Sequence, residues 1–234
     1  MIESTQTVGY GRAASEALAA AIANAQRDDP LAPVTVIVPS NFVGLSIRRL
    51  FGSGLLAGQR GTGLASVGFV PPFQQVAAVS GDLLLDSRPI TNPVLGAAVR
   101  HVLRTDPGPY ARVADHHATT TALSALFAEL SDVDDAGLDA MLDEGSTAAR
   151  LAVGFHRAIG DRLAGFHTEA ELVTAAADRP DLAEQLAPLG HLIWYLPAPT
   201  TAPLARFMHR ALGDAPSSVI IGLTGAPAAD APVW

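Results

Sequence analysis

The chain has 234 residues, 49 % of them apolar and 6 % aromatic, which is enough for one large domain or for one domain with a second inserted in it. It contains no cysteine, which excludes disulfides and thiolate metal sites and fits a cytoplasmic location, and no apolar run reaches the ~18 residues of a membrane span. The net charge of −8 argues against tight nucleic-acid binding by this segment alone, because phosphate binding depends on clustered Lys and Arg.

Short β-branched runs alternate with helical runs at both ends of the chain. Such alternation predicts an α/β fold with a doubly wound parallel sheet. The runs at 34–38 and 219–223 are almost continuously apolar, which is typical of strands buried on both faces. The predicted strands are 5–8, 34–38, 65–70, 191–195 and 218–223. The predicted helices between them are about 12–26, 42–51, 72–79 and 202–212.

The middle of the chain, residues 92–185, is predicted to be wholly helical, because apolar residues recur there at helical spacing. Turn signals at 105–109 and 143–145 separate three apolar stripes. The stripes are Leu95, Val99 and Val102; Leu123, Leu126, Phe127 and Leu130; and Leu151, Phe155, Ile159 and Leu163. The predicted domains are the first part of an α/β core at 1–90, a helical insertion at 91–187 and a second, truncated part of the core at 188–234. A Gly-rich stretch at 52–63 is predicted to be a flexible loop.

The turn after the first strand has the frame of a phosphate-binding loop without its chemical groups. A working loop reads G-x-x-x-x-G-K-[ST], in which the Lys neutralises phosphate charge and the hydroxyl binds Mg²⁺. Here Gly9 is retained, but the second glycine is Ala14, the lysine is Ser15 and the hydroxyl position is Glu16. All 15 basic residues of the chain are Arg, and Arg12 is the basic residue within this loop. The loop therefore predicts an inactivated phosphate site.

The same loop has two other interpretations. Gly9, Gly11 and Ala14 match the G-x-G-x-x-[GA] dinucleotide fingerprint, which also requires an acidic residue at the end of the second strand. Asp28 and Asp29 lie at about the right distance but precede that strand. A tight strand-to-helix turn that needs only small residues is the third interpretation.

Polar and basic residues follow the second predicted strand. Ser40 and Asn41 leave the strand and enter a helix that contains Arg48 and Arg49. Their donors, together with the N–H groups of a helix N-terminus, suit a phosphate or a single-strand backbone. The alternative is an N-cap beside a proline-fixed turn.

The fourth predicted strand ends without an acid. A nucleotide-hydrolysing sheet has there a carboxylate that positions Mg²⁺, whereas this strand ends in Leu196 and Pro197. An ordinary buried strand is the simplest interpretation.

Two weaker groupings predict no metal site. Asp132, Asp134 and Asp143 match only part of a calcium-loop pattern, which favours a solvated turn between helices. His116 and His117 are adjacent on a predicted helix, so their side chains diverge.

Taken in order and spacing, these motifs resemble the N-terminal region of AddB/RecC-type subunits, the inactivated superfamily-one helicase-like partners in bacterial helicase–nuclease complexes that process DNA double-strand ends. The chain is most similar to actinobacterial AddB-like proteins with a C-terminal PD-(D/E)XK nuclease domain. The resemblance covers 9–16, 34–41, 68–70, the helical insert, 193–203 and 220–225. Some family members retain a complete phosphate loop. This chain departs from them at Ala14, Ser15, Glu16 and Leu196, so we expect no ATP binding.

The resemblance implies a RecA-like parallel sheet with an inserted all-helical subdomain, acting as scaffold and DNA guide in recombinational repair. It implies no catalytic residue, cofactor or metal in this segment, and an exonuclease activity in the longer parent protein. The implied partners are DNA ends or single-stranded DNA, contacted by Ser40, Asn41, Arg48 and Arg49, and a helicase motor subunit. Two alternatives stay open: a nucleotide- or NAD(P)-binding α/β enzyme, and a protein-interaction module for a motor subunit.

Overall fold

The computed structural model describes residues 2–54, 64–83 and 86–230, and it divides the chain into two compact units. The first unit contains the chain up to Gly81 and from Val173 onward, and the second contains Asp82–Leu172. Most of the loop predicted at 52–63, and residues 231–234, lie outside the described residues.

The strands and helices alternate in the first unit, whereas helices dominate the second. The strands are β1 (Ile2–Gly9), β2 (Val34–Ile37), β3 (Val67–Val70), β4 (Arg88–Pro89), β5 (Phe166–His167), β6 (His191–Tyr195) and β7 (Ser217–Leu223). The α-helices are α1 (Arg12–Ala25), α2 (Asn41–Gly52), α3 (Pro72–Ser80), α4 (Asn92–Thr105), α5 (His117–Leu130), α6 (Asp135–Asp143), α7 (Thr147–Arg162), α8 (Glu169–Asp178), α9 (Leu182–Leu186), α10 (Ala202–Asp214) and α11 (Pro227–Asp230).

A five-stranded parallel sheet forms the centre of the first unit. Its strand order is β1-β7-β6-β2-β3, and every neighbouring pair is parallel. In the register, Val34 of β2 lies beside His191 of β6, so strands from the two ends of the chain pair directly. The predicted α/β class and parallel sheet are therefore confirmed, and the five predicted strands begin and end within three residues of the observed ones.

Both faces of this sheet are covered, which explains the continuous apolar runs in its strands. All four residues of β2 are buried. On one face, α1 and α2 pack on alternate strand residues; the buried members of this cluster include Leu18, Ile22, Val34, Val36, Ile47, Phe69, Ile193 and Ile220. On the other side of the sheet, α10 contacts β7, α3 and α9, and Phe207 and Met208 of α10 are completely buried.

Helices α4, α5 and α7 pack together in the second unit. Their shared core contains the predicted stripe residues Leu95, Val99, Val102, Leu123, Phe127, Phe155, Ile159 and Leu163. The rings of Tyr110 and Phe155 meet edge to face, with 5.2 Å between their centroids. Leu151, which begins the third predicted stripe, is 37 % exposed and lies outside this core.

The prediction that residues 92–185 are wholly helical is wrong at β5. After α7 the chain turns at Gly165, and β5 then pairs in parallel with β4, where Arg88 N–H donates to Gly165 O and Ile90 N–H donates to His167 O. Two connecting segments thus satisfy each other's backbone groups, which a side-chain pattern does not reveal.

The part of the chain from Val173 to 185 belongs to the sheet-containing unit. Val173 and Leu182 are buried there, and the buried guanidinium of Arg179 donates to Val79 O at the end of α3. The same guanidinium binds both carboxylate oxygens of Asp181, at 2.7 and 2.9 Å, and this interaction holds the pKa of Asp181 well below its usual range.

Candidate functional site at the carboxyl edge of the sheet

The carboxyl ends of all five parallel strands meet at one edge of the sheet. β2 leads to β3 on one side, whereas β6 leads to β7 on the other, so the connections diverge between β2 and β6. In open α/β sheets such a divergence at the carboxyl edge is the usual place for a ligand. The residues predicted at the ends of β1, β2 and β6 are therefore placed at one edge.

Gly11 forms the turn from β1 into α1. It precedes the first residue of the helix, Arg12, and has a φ of +84°, a backbone conformation that favours glycine. Gly9 ends β1, and a β-carbon there would meet no other atom within 4 Å. The backbone of the turn thus favours a glycine at position 11. At Gly9, the glycine that matches the phosphate-loop frame, a side chain would meet no steric obstacle.

The positions of the second glycine and the lysine face the protein interior. Ala14 is completely buried in the core between α1 and the sheet. Ser15 is also buried, and its hydroxyl donates to Gly11 O at 3.1 Å. Burial raises the pKa of Tyr195 at the end of β6, and an interaction with the Ser15 side chain offsets part of that rise. The Ser15 hydroxyl is therefore engaged within the fold.

The charged residues of the loop neutralise each other. Arg12 Nε and Glu16 Oε1 are 2.7 Å apart, one helical turn apart on the exposed side of α1. The hydrogen bond to Glu16 raises the pKa of Arg12. The guanidinium that stands within the loop is thus paired with the carboxylate at the Mg²⁺-hydroxyl position.

The end of β6 is apolar and has an unusual backbone. Leu196 has a φ of +50°, which non-glycine residues seldom adopt, and its N–H donates to Ile220 O at 2.8 Å. A β-carbon built on Gly222 of the neighbouring strand would lie 2.8 Å from Leu196 Cδ2 and 2.6 Å from Tyr10 Cζ. Tyr10 and Leu196 therefore both pack over Gly222, where a nucleotide-hydrolysing sheet would present polar groups.

Asp230, which the sequence analysis did not single out, is a buried acid that follows β7. Its Oδ1 accepts from the N–H and hydroxyl of Thr224, both at 2.8 Å, and its Oδ2 accepts from Gly225 N–H at 3.0 Å. These hydrogen bonds lower the pKa of Asp230. The carboxylate closes the loop after β7. A recognisable signal was the polar pair Thr224-Gly225 followed at short range by an acid.

The residues predicted after β2 are all on or next to α2. Ser40 is the N-cap, and its Oγ accepts from Val43 N–H at 3.4 Å, as the capping interpretation predicted. Asn41, Arg48 and Arg49 are exposed. Because a helix rises 1.5 Å per residue, the arginines lie about 10–12 Å along the axis from Asn41. The structure places the four residues along one helix and does not gather them at one point.

The stretch of sequence that contains α2 lacks acidic residues, a feature that the sequence analysis missed. No Asp or Glu occurs between Asp29 and Asp82, although the chain has 23 in all. Arg48 lies over the ring of Phe69, 5.3 Å from its centroid, in a cation–π arrangement. Among the described residues, neither Arg48 nor Arg49 forms an ion pair. The stretch 30–81 therefore carries only positive charges within a chain whose net charge is −8.

Three of the groups considered for metals, Asp134, His116 and His117, have structural partners. Asp134 caps α6 by accepting from Gly137 N–H at 2.8 Å, and His116 Nδ1 accepts from Ala118 N–H at the start of α5. His117 Nε2 lies 3.5 Å from the hydroxyl of Thr121 on the same helix. The described residues contain no cluster of three or more His, Asp or Glu suited to a metal ion. Asp29, which the dinucleotide interpretation considered for a ribose, accepts through Oδ1 from Leu31 N–H. Its side chain therefore belongs to the turn before β2.

A cavity of about 560 Å³ lies at the opposite, amino edge of the sheet, and Glu3, Pro33, His191 and Asp214 are among its lining residues. His191 Nε2 is 2.9 Å from Ser218 Oγ, and burial lowers the pKa of His191. None of the residues predicted for phosphate or DNA lines this cavity.

No described helix has the length and apolar character required to cross a bilayer. A comparison with protein-family models found no match, and a search of curated proteins found no relative of the chain.

Proposed function

We propose that this chain is a helicase-like domain without ATPase function, which serves as a scaffold and DNA guide in a helicase–nuclease that processes DNA double-strand ends. The fold is proposed to be RecA-like, with the helical region between β3 and β6 as an inserted subdomain. The parent protein is proposed to include a PD-(D/E)XK nuclease domain and to work with a helicase motor subunit.

The observation that most supports this proposal is the engagement of Ser15 within the fold. In an active loop, the side chain at this position would reach the β- and γ-phosphates. Here it is buried and donates to Gly11 O at 3.1 Å, while Arg12 is paired with Glu16. The turn from β1 into α1 thus has the spacing of a phosphate-binding loop, but its arginine is already paired and it offers no other cation to a triphosphate.

The end of β6 supports the same conclusion. Mg²⁺–nucleotide hydrolysis needs a carboxylate there, and Leu196 supplies an apolar side chain that packs toward Gly222. The buried acid of this edge, Asp230, already accepts three hydrogen bonds from Thr224 and Gly225. The edge therefore combines a parallel sheet with an apolar residue, Leu196, at the position where hydrolysis needs a carboxylate.

The DNA part of the proposal depends on α2. Asn41 and the two arginines are exposed on α2, which begins at the carboxyl edge, and they supply amide and guanidinium donors that suit backbone contacts. Ser40 caps the helix and contributes its hydroxyl as a further donor. With a net charge of −8, we expect weak binding that salt abolishes.

Two titrations test the proposal. Calorimetry with ATP–Mg²⁺ is expected to show no micromolar binding, and such binding would overturn the ATPase-free assignment. Fluorescence anisotropy with a labelled single-stranded oligonucleotide is expected to show binding at low salt that disappears near physiological salt. Absence of binding at low salt would overturn the role as a DNA guide.

A further inference from the structure

The outward side of α2 presents an aromatic, an aliphatic and a basic residue in a row. Phe42 is 75 % exposed and Leu45 is 46 % exposed. Ser46 and Arg49 continue the same side, because residues three, four and seven apart share one face of a helix. We call these four residues the α2 face.

The orientation of the α2 face is fixed by the residues behind it. Gly44 and Ile47 are buried, and a β-carbon on Gly44 would lie only 3.0 Å from Phe69 Cβ. The guanidinium of Arg48 lies over the Phe69 ring. Because the helix is seated this closely on β3, Phe42 cannot turn inward without separating the helix from the sheet.

Charge indicates what kind of partner fits the α2 face. Some of the other arginines are paired with acids, among them Arg157 with Asp139, Arg206 with Asp178 and Arg210 with Asp214. Arg48 and Arg49 have no such partner among the described residues, and the sequence around them is free of acids from 30 to 81. An anionic partner with flat apolar groups complements this combination.

We propose that Phe42 is a stacking platform for a base of a single-stranded nucleic acid, and that Arg49 binds a phosphate of the same strand. This inference rests on the proposed function and adds to it that bases, as well as backbone, face the protein. Aromatic side chains beside a basic groove are the usual means of holding single strands without reading their sequence. Phe42 and Arg49 are about 10 Å apart along the helix, the length of roughly three stacked nucleotides.

The test compares a normal oligonucleotide with an abasic one of equal length, using the 234-residue chain at low salt. Phe42→Ala is expected to weaken binding of the normal strand about five- to tenfold and to leave binding of the abasic strand unchanged. Leu31→Ala is the matched control, because Leu31 is a 65 % exposed apolar residue at the other end of β2. Phe42→Trp is expected to retain affinity and to lose fluorescence on binding the normal strand only.

The outcomes separate this inference from the proposed function. If wild type does not bind single strands, the role as a DNA guide fails and the stacking role fails with it. If wild type binds but Phe42→Ala binds equally well, or weakens both strands equally, only the stacking role is overturned. A Phe42→Ala variant that loses a protein partner while keeping full affinity for the normal strand would also overturn it and make the α2 face a protein interface.

Discussion

The ring of Tyr10 packs over Gly222, so that the residue after β1 covers the backbone of the adjacent strand β7. A β-carbon on Gly222 would stand 2.6 Å from Tyr10 Cζ, a distance that side chains do not tolerate. The N–H of Tyr10 also donates to Leu223 O. At the carboxyl edge, β7 is thus covered by an aromatic ring.

Gly222→Ala is expected to destabilise the chain by about 1–3 kcal/mol, because the new methyl group forces Tyr10 and Leu196 to move. Tyr10 is 55 % exposed and can swing outward, so the cost should remain moderate. Urea unfolding of the single variants and of Tyr10→Ala/Gly222→Ala provides the check. The double variant should cost less than the sum of the singles, and strict additivity would contradict the contact.

Asp230→Asn is expected to be less stable than wild type at pH 7, because the amide cannot accept from both Thr224 and Gly225. The folded-state pKa of Asp230 is lowered, so its contribution is complete above the unfolded pKa of about 3.9 and is lost as the pH falls through the folded value. The stability difference between wild type and variant should therefore shrink on acidification. Denaturant midpoints at pH 7 and below pH 4 measure it, and a difference that grows in acid would refute the assignment.

His156 in the second unit should make stability fall between pH 7 and pH 5. Its ring stacks on Phe127 at 4.8 Å, and its buried Nδ1 has no hydrogen-bond partner among the described residues. Burial lowers the pKa of His156, and this effect outweighs a weaker interaction with the backbone of Phe127. A base with a lowered folded pKa is protonated first in the unfolded chain, so stability is present above about pH 6.5 and decreases below it.

The matching variant is His156→Phe, which keeps a stacked ring and removes the unpaired nitrogen. Thermal melts are expected to show equal or greater stability than wild type at pH 7 and a flatter dependence on pH. A variant that retains the wild-type slope between pH 7 and 5 would show that another group is responsible.

Replacing Arg48 and Arg49 together by Ala is expected to weaken single-strand binding and to reduce the slope of log K against log salt by about 1.4, the value for two phosphate contacts. The control is Arg206→Ala, because that guanidinium is already paired with Asp178. Anisotropy titrations at several salt concentrations measure both quantities. Unchanged affinity and slope would remove the two arginines from the DNA path and leave Ser40 as a structural cap.

The sheet could be predicted from the sequence because its strands are buried on both faces. A short, continuously apolar run such as 34–38 between two predicted helices indicates a buried parallel strand. The predicted strand agrees with β2 to within one residue. β4 and β5 could not be predicted, because two-residue strands are formed by backbone pairing alone and leave no side-chain pattern. The ends of the helices that flank the sheet strands were predicted to within about two residues, because caps and turns have local signals in the sequence.

Beyond the residue types in the turn after β1 and the Ser40 cap, little of the candidate site was predictable from the sequence. The replacement of lysine by Ser15 is visible in the sequence, but the hydrogen bond from Ser15 to Gly11 O depends on how α1 begins. Tyr10 and Phe42 gave no pattern, because the exposure of a side chain depends on residues distant in the chain, whereas Asp230 has only the weak local signal of Thr224-Gly225 before it. Tyr10 acts through Gly222 and Asp230 through Thr224, and the exposure of Phe42 depends on how α2 is seated on β3 through Gly44.

The pairing of β1 with β7 affects how the chain folds during synthesis. Residues 2–9 form the outer strand of the sheet, and their only strand neighbour among the described residues is 217–223. At about 5–20 residues per second, a ribosome adds the intervening stretch in roughly 10–40 s. Throughout that time the backbone of the first strand has no sheet to join. A chaperone that shields extended, β-prone segments during synthesis would therefore raise the yield of this protein.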